Sequence, residues 1–223
     1  MSLKSSKGSL RIRLVIFDLD GTLIDSGKDI TESVNTLRKI MGQPPLTQKS
    51  VIAGIGQGVQ HLLSKTVPPK ILRTHPGAAE DFRRIYLDRS TRFTRLFPGG
   101  RRMLTALHRR GIRLAVASNK PSVLSGKILR NLGIRRLFSS VICGDRVRHP
   151  KPHPESINKL MKRYRVSPRE TLLVGDSKFD MEAGQRAGTL LAATTFGFGT
   201  RKELARYKPD YWIRNLSKLI KLV

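Results

Sequence analysis

From Leu14 onward the chain alternates short apolar runs with stretches in which apolar residues recur every three or four positions. Leu14–Phe17, 113–117, Ser140–Cys143, 171–174 and Leu190–Thr194 are too short for helices and rich in β-formers, so they read as strands buried on both faces. A last, shorter strand is expected at Tyr211–Ile213. Helical spacing is clearest over 29–41, where Ile30, Val34, Leu37 and Ile40 share a face before Gly42 and Pro45 break the pattern. Further helices are expected through Leu62-Leu63 and over 78–93, 100–110, 121–132, Glu155–Tyr164 and 179–187, with a short one near Glu203 and one at the C-terminus. Gly111 and Gly133 stop two of them. Ser167-Pro168-Arg169-Glu170 has capping-box spacing with proline at the first helical position. The early part is therefore all helix after one strand. From residue 100 onward helix and strand alternate, which predicts a doubly wound, mainly parallel α/β sheet carrying a helical insert. Residues 1–10 are expected to form a loose arm.

Composition narrows the class. With 223 residues and 39% hydrophobic content, there is room for one sizeable core and a small accessory unit. A single cysteine, Cys143, excludes an intramolecular disulfide and suggests an intracellular, cytoplasmic protein. No secretory leader or membrane span is evident. Net charge is the anomaly, at +27. Residues 26–92 hold 11 Lys+Arg against 5 Asp+Glu, so most of the excess lies elsewhere along the chain and not in a tail. Such charge suits nucleic acid or a small anionic substrate. Aromatic content of 6%, without interleaved aromatic and basic residues, argues against a single-strand stacking platform. Nucleic acid is therefore the less favoured partner.

Candidate chemistry gathers at the strands' carboxyl ends, where open parallel sheets bind ligands. Phe17-Asp18-Leu19-Asp20-Gly21-Thr22 places two aspartates two apart, followed by a glycine that lets the chain turn sharply. Two carboxylates roughly 4 Å apart repel by about 4 kcal/mol at an effective dielectric of 20 unless a cation lies between them. Ser118-Asn119 puts a hydroxyl and an amide after a strand and before a helix, an arrangement that offers N–H groups to a phosphate. Lys151 sits between prolines in a stiff loop. Asp176 and Asp180 lie four apart at a helix start, and carboxylate oxygens are what Mg2+ prefers. Singly, these could be an Asx turn, a helix cap, a solvated lysine and surface charge. Four such sites in one chain favour a shared centre. Gly54, Gly56 and Gly58 lack the strand–turn–helix context of a dinucleotide fingerprint, and suit a loop whose backbone approaches a ligand.

Together these residues resemble the four motifs of the haloacid dehalogenase-like hydrolases, a superfamily of mostly Mg-dependent phosphatases, over nearly the whole chain from Leu14. The resemblance implies a Rossmann-like core (1–25 and 93–223) with a small helical cap domain (26–92) inserted after the first motif. It implies that Asp18 is the nucleophile, that Asp20 is the general acid and base, and that Lys151 offsets negative charge. It assigns Ser118 and Asn119 to the phosphate, and Asp18, the Asp20 carbonyl and Asp176 to Mg2+, with Asp180 orienting from nearby. A carboxylate at position 20 favours phosphoryl chemistry, since the dehalogenases and phosphonatases lack one there. Phe97-Pro98-Gly99, Gly175-Asp176-Ser177, Gly197-Phe198-Gly199 and Pro209-Asp210-Tyr211 look most like the phosphoglycolate phosphatase branch. Related sugar phosphatases, mutases, pyrophosphatases and nucleotidases share most of them. The expected substrate is a small anionic phosphomonoester, best 2-phosphoglycolate, with Gly56 and Lys65 as cap candidates to meet it and Lys28 and His61 beside them. Lys178-Phe179 inside the fourth motif and the +27 charge depart from that branch.

Overall fold

The computed structural model describes residues 12–223, so the expectation for residues 1–10 lies outside the described residues. Strand β1 (Leu14–Phe17) is buried along its whole length, as its apolar run predicts. Burying each such side chain is worth about 1.5–3 kcal/mol. A two-residue strand β2 (Ile24–Asp25) follows, and then the helices α1 (Gly27–Ile40), α2 (Gln48–Ile52), α3 (Gly58–Thr66), α4 (Pro69–Thr74) and α5 (Ala78–Arg89). The chain returns through β3 (Arg95–Leu96), which pairs antiparallel with β2 and closes the neck of this helical stretch.

Beyond the neck come α6 (Gly100–Arg109), β4 (Arg113–Ser118), α7 (Ser122–Asn131) and β5 (Ser140–Cys143). They are followed by α8 (Glu155–Tyr164), β6 (Thr171–Gly175), α9 (Lys178–Ala187) and β7 (Leu190–Thr194), then α10 (Arg201–Ala205), β8 (Tyr211–Ile213) and α11 (Leu219–Leu222). The six-stranded sheet has the order β5-β4-β1-β6-β7-β8, and every pairing is parallel. Strand β1 sits at the centre, where the winding direction reverses. That reversal opens a crevice at the carboxyl ends of β1, β4 and β6.

Alternation along β1 divides the core. Val15 and Phe17 join a cluster with Met103 and Leu107 of α6, Ile128 of α7, and Val34, Leu63 and Phe82 of the helical stretch. Leu14 and Ile16 face Ile157 and Leu160 of α8 and Met181 of α9. Helices thus cover both faces, as a sheet buried on both sides requires.

Several expectations are corrected. The helix read over 78–93 ends at Arg89. Beyond it, the buried Asp29 carboxylate accepts hydrogen bonds from the main-chain N–H groups of Phe93 and Thr94, taking them out of helical pairing. Helices α2 and α4, of five and six residues, are too short to show a period. A threonine cap (Thr47) on α2 and a proline at the start of α4 were their local signals. The capping box at Ser167 closes a single 3-10 turn, Pro168–Glu170, and not a longer helix. Asp25 Oδ1 accepts from the N–H of Gly27 at 3.3 Å, the structural role its place before α1 suggests.

Candidate active site

The chain leaves β1 through a turn wrapped on one carbonyl: the N–H groups of Thr22, Leu23 and Ile24 all donate to Leu19 O. This tight winding needs Gly21, whose φ is +81°. A Cβ at that position would lie 2.1 Å from Asp176 Oδ2, so the glycine also admits the Asp176 carboxylate. The turn carries Asp18 and Asp20 into the crevice. β6 and the start of α9 bring Asp176 and Asp180, and the loop after β5 brings Lys151.

Asp18, Asp176 and Asp180 each offer a carboxylate oxygen, and these atoms lie within 4.8 Å of one another. Lys151 Nζ stands among them, 2.9 Å from Asp18 Oδ1 and 2.5 Å from Asp180 Oδ1. Both Asp180 oxygens are already bonded, Oδ1 to Lys151 and Oδ2 to the N–H and Oγ of Ser177 in a capping box at the start of α9. Asp176 accepts from Thr22 Oγ1 at 2.7 Å and from the N–H of Phe198 at 2.8 Å. Asp18 Oδ1 differs. It touches the Lys151 ammonium as an ion pair but lacks hydrogen-bond geometry, and no other group among the described residues bonds it.

Three buried carboxylates against one ammonium leave a deficit of positive charge. Burial, then Asp180 and Asp18, push the Asp176 carboxyl up to about 8. Burial, opposed by Lys151, leaves the Asp18 carboxyl raised to about 6. For Lys151, burial pulls the ammonium down, but Asp18 and Asp180 outweigh it and hold it above the usual lysine range. An orphaned buried oxygen and an all-carboxylate donor set fit a hard divalent cation. The sign of its linkage to pH follows. Carboxyl groups raised in the fold stabilise the metal-free protein fully below about pH 4, and that contribution is lost as pH rises through about 6 and about 8. A cation must displace the retained protons. The Tm gain from millimolar Mg2+ should therefore grow between pH 6 and pH 8.5. A gain that shrinks over that range in differential scanning fluorimetry would contradict the assignment.

Asp20 faces elsewhere. Its carboxylate accepts from Lys120 Nζ at 2.9 and 2.8 Å and from Ser26 Oγ at 2.5 Å. Lys120 in turn donates to the Tyr86 hydroxyl at 2.8 Å, both residues being buried. Burial pulls the Lys120 ammonium down, but Asp20 and then Tyr86 hold it above the usual lysine range. Lys120, Tyr86, Thr22 and Ser26 were not singled out from sequence. Lys120 directly follows Asn119 and had a local signal there. Tyr86 had none, because its partner lies 34 residues away.

The remaining candidates fall into place differently. Ser118 is buried at the end of β4 and lines the same cavity as Asp18. Asn119 spends its side-chain amide on structure: Nδ2 donates to Gly56 O and Lys151 O, and Oδ1 accepts from Lys151 N. A phosphate contact by Asn119 therefore falls to its main-chain N–H. Asp145, not an open helix end, meets the N-terminus of α7 through the N–H and Oγ of Ser122. Gly56, at φ +127°, leaves no room for a Cβ, which would lie 2.8 Å from the Phe179 ring. A cavity of about 650 Å³ runs from Asp18, Asp20 and Asp176 up to the helical stretch, whose wall includes Ile52, Ile55 and Phe82. Lys65 and Lys178 also line it. Partial burial and then these two lysines pull the His61 imidazole below its usual range. Among the described residues, no helix is long and apolar enough to cross a membrane.

The family model described as haloacid dehalogenase-like hydrolase matches residues 15–194. A phosphoglycolate phosphatase of Aquifex aeolicus is 36% identical over 212 residues, covering 95% of this chain and 97% of the relative. One from Vibrio vulnificus is 33% identical over 219 residues, covering 95% and 96%. The crystal structure of a predicted phosphoglycolate phosphatase from Haemophilus somnus superposes with a TM-score of 0.85 at 30% identity, covering 95% and 97%.

Proposed function

Because the chain belongs to the haloacid dehalogenase-like hydrolases, we propose that it is a Mg2+-dependent phosphatase of the cytoplasm acting on 2-phosphoglycolate through an aspartyl-phosphate. Residues 1–25 and 93–223 form its Rossmann-like core, and 26–92 its cap. One observation carries the chemistry: two aspartates of one turn face different partners in one cavity. Asp18 lies with Lys151 and the acidic cluster, and Asp20 lies with Lys120 and Ser26. That separation suits two roles.

Asp18 attacks phosphorus, the bond from phosphorus to the leaving oxygen breaks, and Asp20 gives that oxygen its proton. Asp20 then takes a proton from water as the water oxygen attacks phosphorus. The bond to Asp18 breaks and inorganic phosphate leaves. Lys151 offsets charge on Asp18 and on the transferring group, while Ser118 and the N–H of Asn119 bind its oxygens. Asp18, Asp176 and the Asp20 carbonyl would hold Mg2+, and Asp180, with both oxygens engaged, orients Lys151. A cation bound there supplies the positive charge that lets a phosphate dianion approach carboxylates. Gly56 and Lys65 face the substrate from the cap, Lys65 as the cation for a carboxylate tail.

The relatives' activity supports phosphoglycolate as substrate. The apolar wall and the 650 Å³ volume favour a second reading, a phosphomonoester with a larger tail. Phosphate release measured across 2-phosphoglycolate, sugar phosphates, nucleotides and pyrophosphate separates the two. We expect 2-phosphoglycolate to have the highest kcat/KM, with activity lost in excess chelator and restored by Mg2+. A sugar phosphate or nucleotide turned over at least tenfold more efficiently would replace the first reading with the second. Undiminished turnover in chelator would remove the metal.

A further inference from the structure

Lys120 sits where a phosphate ligand would be expected, one residue after Asn119 and inside the cavity. Its bonding gives it two other partners. An ammonium has three protons to give. Lys120 Nζ directs one onto the Asp20 carboxylate, between Oδ1 at 2.9 Å and Oδ2 at 2.8 Å, and another to the Tyr86 hydroxyl at 2.8 Å. The Tyr86 ring lies against the same ammonium, 4.5 Å from its centroid. The ammonium is thus held between Asp20 and Tyr86.

The three groups come from three parts of the chain. Asp20 belongs to the turn after β1, Lys120 to the loop between β4 and α7, and Tyr86 to α5 in the stretch proposed as cap. Helix α5 and the turn after it are fastened to α7: Lys127 Nζ donates to Leu87 O of the helix at 2.5 Å, and Asn131 Nδ2 to Thr91 Oγ1 of the turn at 2.9 Å. Ser26, at the entry to α1, holds Asp20 Oδ1 from another side at 2.5 Å. The carboxylate is thus gripped by Ser26 at the start of the insert and by Lys120 of the core, which Tyr86 of the insert holds in turn. Misplacing a proton-transfer group by about 1 Å can cost roughly 10²-fold in rate.

We propose that Lys120 and Tyr86 are positioning residues that aim the Asp20 carboxylate at the leaving oxygen while α5 is seated on the core, so that seating the insert and aligning the acid–base group are one event. The inference rests on the phosphatase reading above. It differs from a phosphate-binding role for Lys120 in what it predicts for leaving groups. Proton donation matters most when the departing oxygen is a poor leaving group, and least when it departs readily as the anion.

The test uses substituted phenyl phosphates of near-equal size, from phenyl to dinitrophenyl, with Mg2+ present, and plots log kcat/KM against leaving-group pKa. Two variants are compared with the wild type, Lys120→Met and the milder Tyr86→Phe, which removes one oxygen from a buried ring. For phenyl phosphate we expect kcat/KM to fall about 100-fold in Lys120→Met and about 10-fold in Tyr86→Phe, within the range of general acid–base contributions. For dinitrophenyl phosphate the losses should be no more than a few-fold, so the plots steepen. Parallel plots, with one loss across the series, would show a role in binding or folding and overturn the assignment. Unchanged plots in Tyr86→Phe would remove Tyr86 from it. If Lys120→Met does not fold, the Tyr86→Phe slope alone decides. A wild type that hydrolyses no member of the series, nor any other phosphomonoester, would end the phosphatase reading and this inference with it.

Discussion

Asp18→Asn should give a protein that folds, keeps its place for the cation, and turns over almost nothing. The amide matches the carboxylate in size, so packing at the end of β1 is preserved, but it cannot attack phosphorus. Removing a nucleophile that forms the covalent intermediate costs on the order of 10⁴-fold or more in kcat. The fold should tolerate the change, because Asp18 is buried with its carboxyl raised to about 6, so the wild type already bears strain from an extra carboxylate near neutral pH. Lys151 keeps Asp180 as its partner at 2.5 Å. Metal-free Tm at pH 7.5 should therefore stay within a few degrees of wild type. Rate measurements on freshly purified protein, with mass spectrometry to exclude deamidation back to aspartate, provide the check. Activity within tenfold of wild type would remove Asp18 from the nucleophile's role.

Lys151→Met should have the largest effect on stability. The side chain is 3% exposed and is the cation paired with Asp18 and Asp180. Methionine fills similar space but leaves three converging carboxylates without a counter-charge. Removing one partner of a buried ion pair costs about 3–5 kcal/mol, which in a chain of this size lowers Tm by roughly 6–20 °C. The dependence on pH identifies the cause. Without Lys151 the Asp18 carboxyl loses the charge that holds it down and is raised further in the fold, so its stabilisation persists at low pH and is lost as pH rises. The Tm deficit against wild type should be small near pH 5 and large near pH 8, and Mg2+ should recover part of it at high pH. A deficit equal at both pH values would mean that lost packing, not charge, is responsible. Activity should fall in parallel, since in the proposed mechanism the same ammonium offsets charge on the transferring group.

The core of the fold was legible along the chain. β1, β5, α8 and β7 stand at the positions expected from their runs, and α6, β4, α7, β6 and α9 within one or two residues. Buried parallel strands and amphipathic helices carry their burial in their own periodicity, so neighbouring residues suffice to show them. The helical stretch was less legible. α2 and α4 have too few turns to establish a period, and α5 stops where the Asp29 carboxylate, from 64 residues earlier in the chain, takes the N–H of Phe93.

For the site, the sequence by itself determined the cast: which carboxylates, hydroxyl, amide and lysine stand at strand ends, because the residue following a buried strand in an open parallel sheet must emerge at the crevice. Only the tertiary structure decided how they pair. It turned Asp20 away from Asp18 toward Lys120 and Ser26, and it spent the Asn119 amide on Gly56 and Lys151. It also brought Tyr86 to Lys120 and set Asp180 against Lys151. Apart from the bond between Asp20 and Ser26, each is a contact between groups many residues apart, whose strength depends on burial and on the charges already there. Local sequence specifies neither, because both arise when the layers close over the sheet.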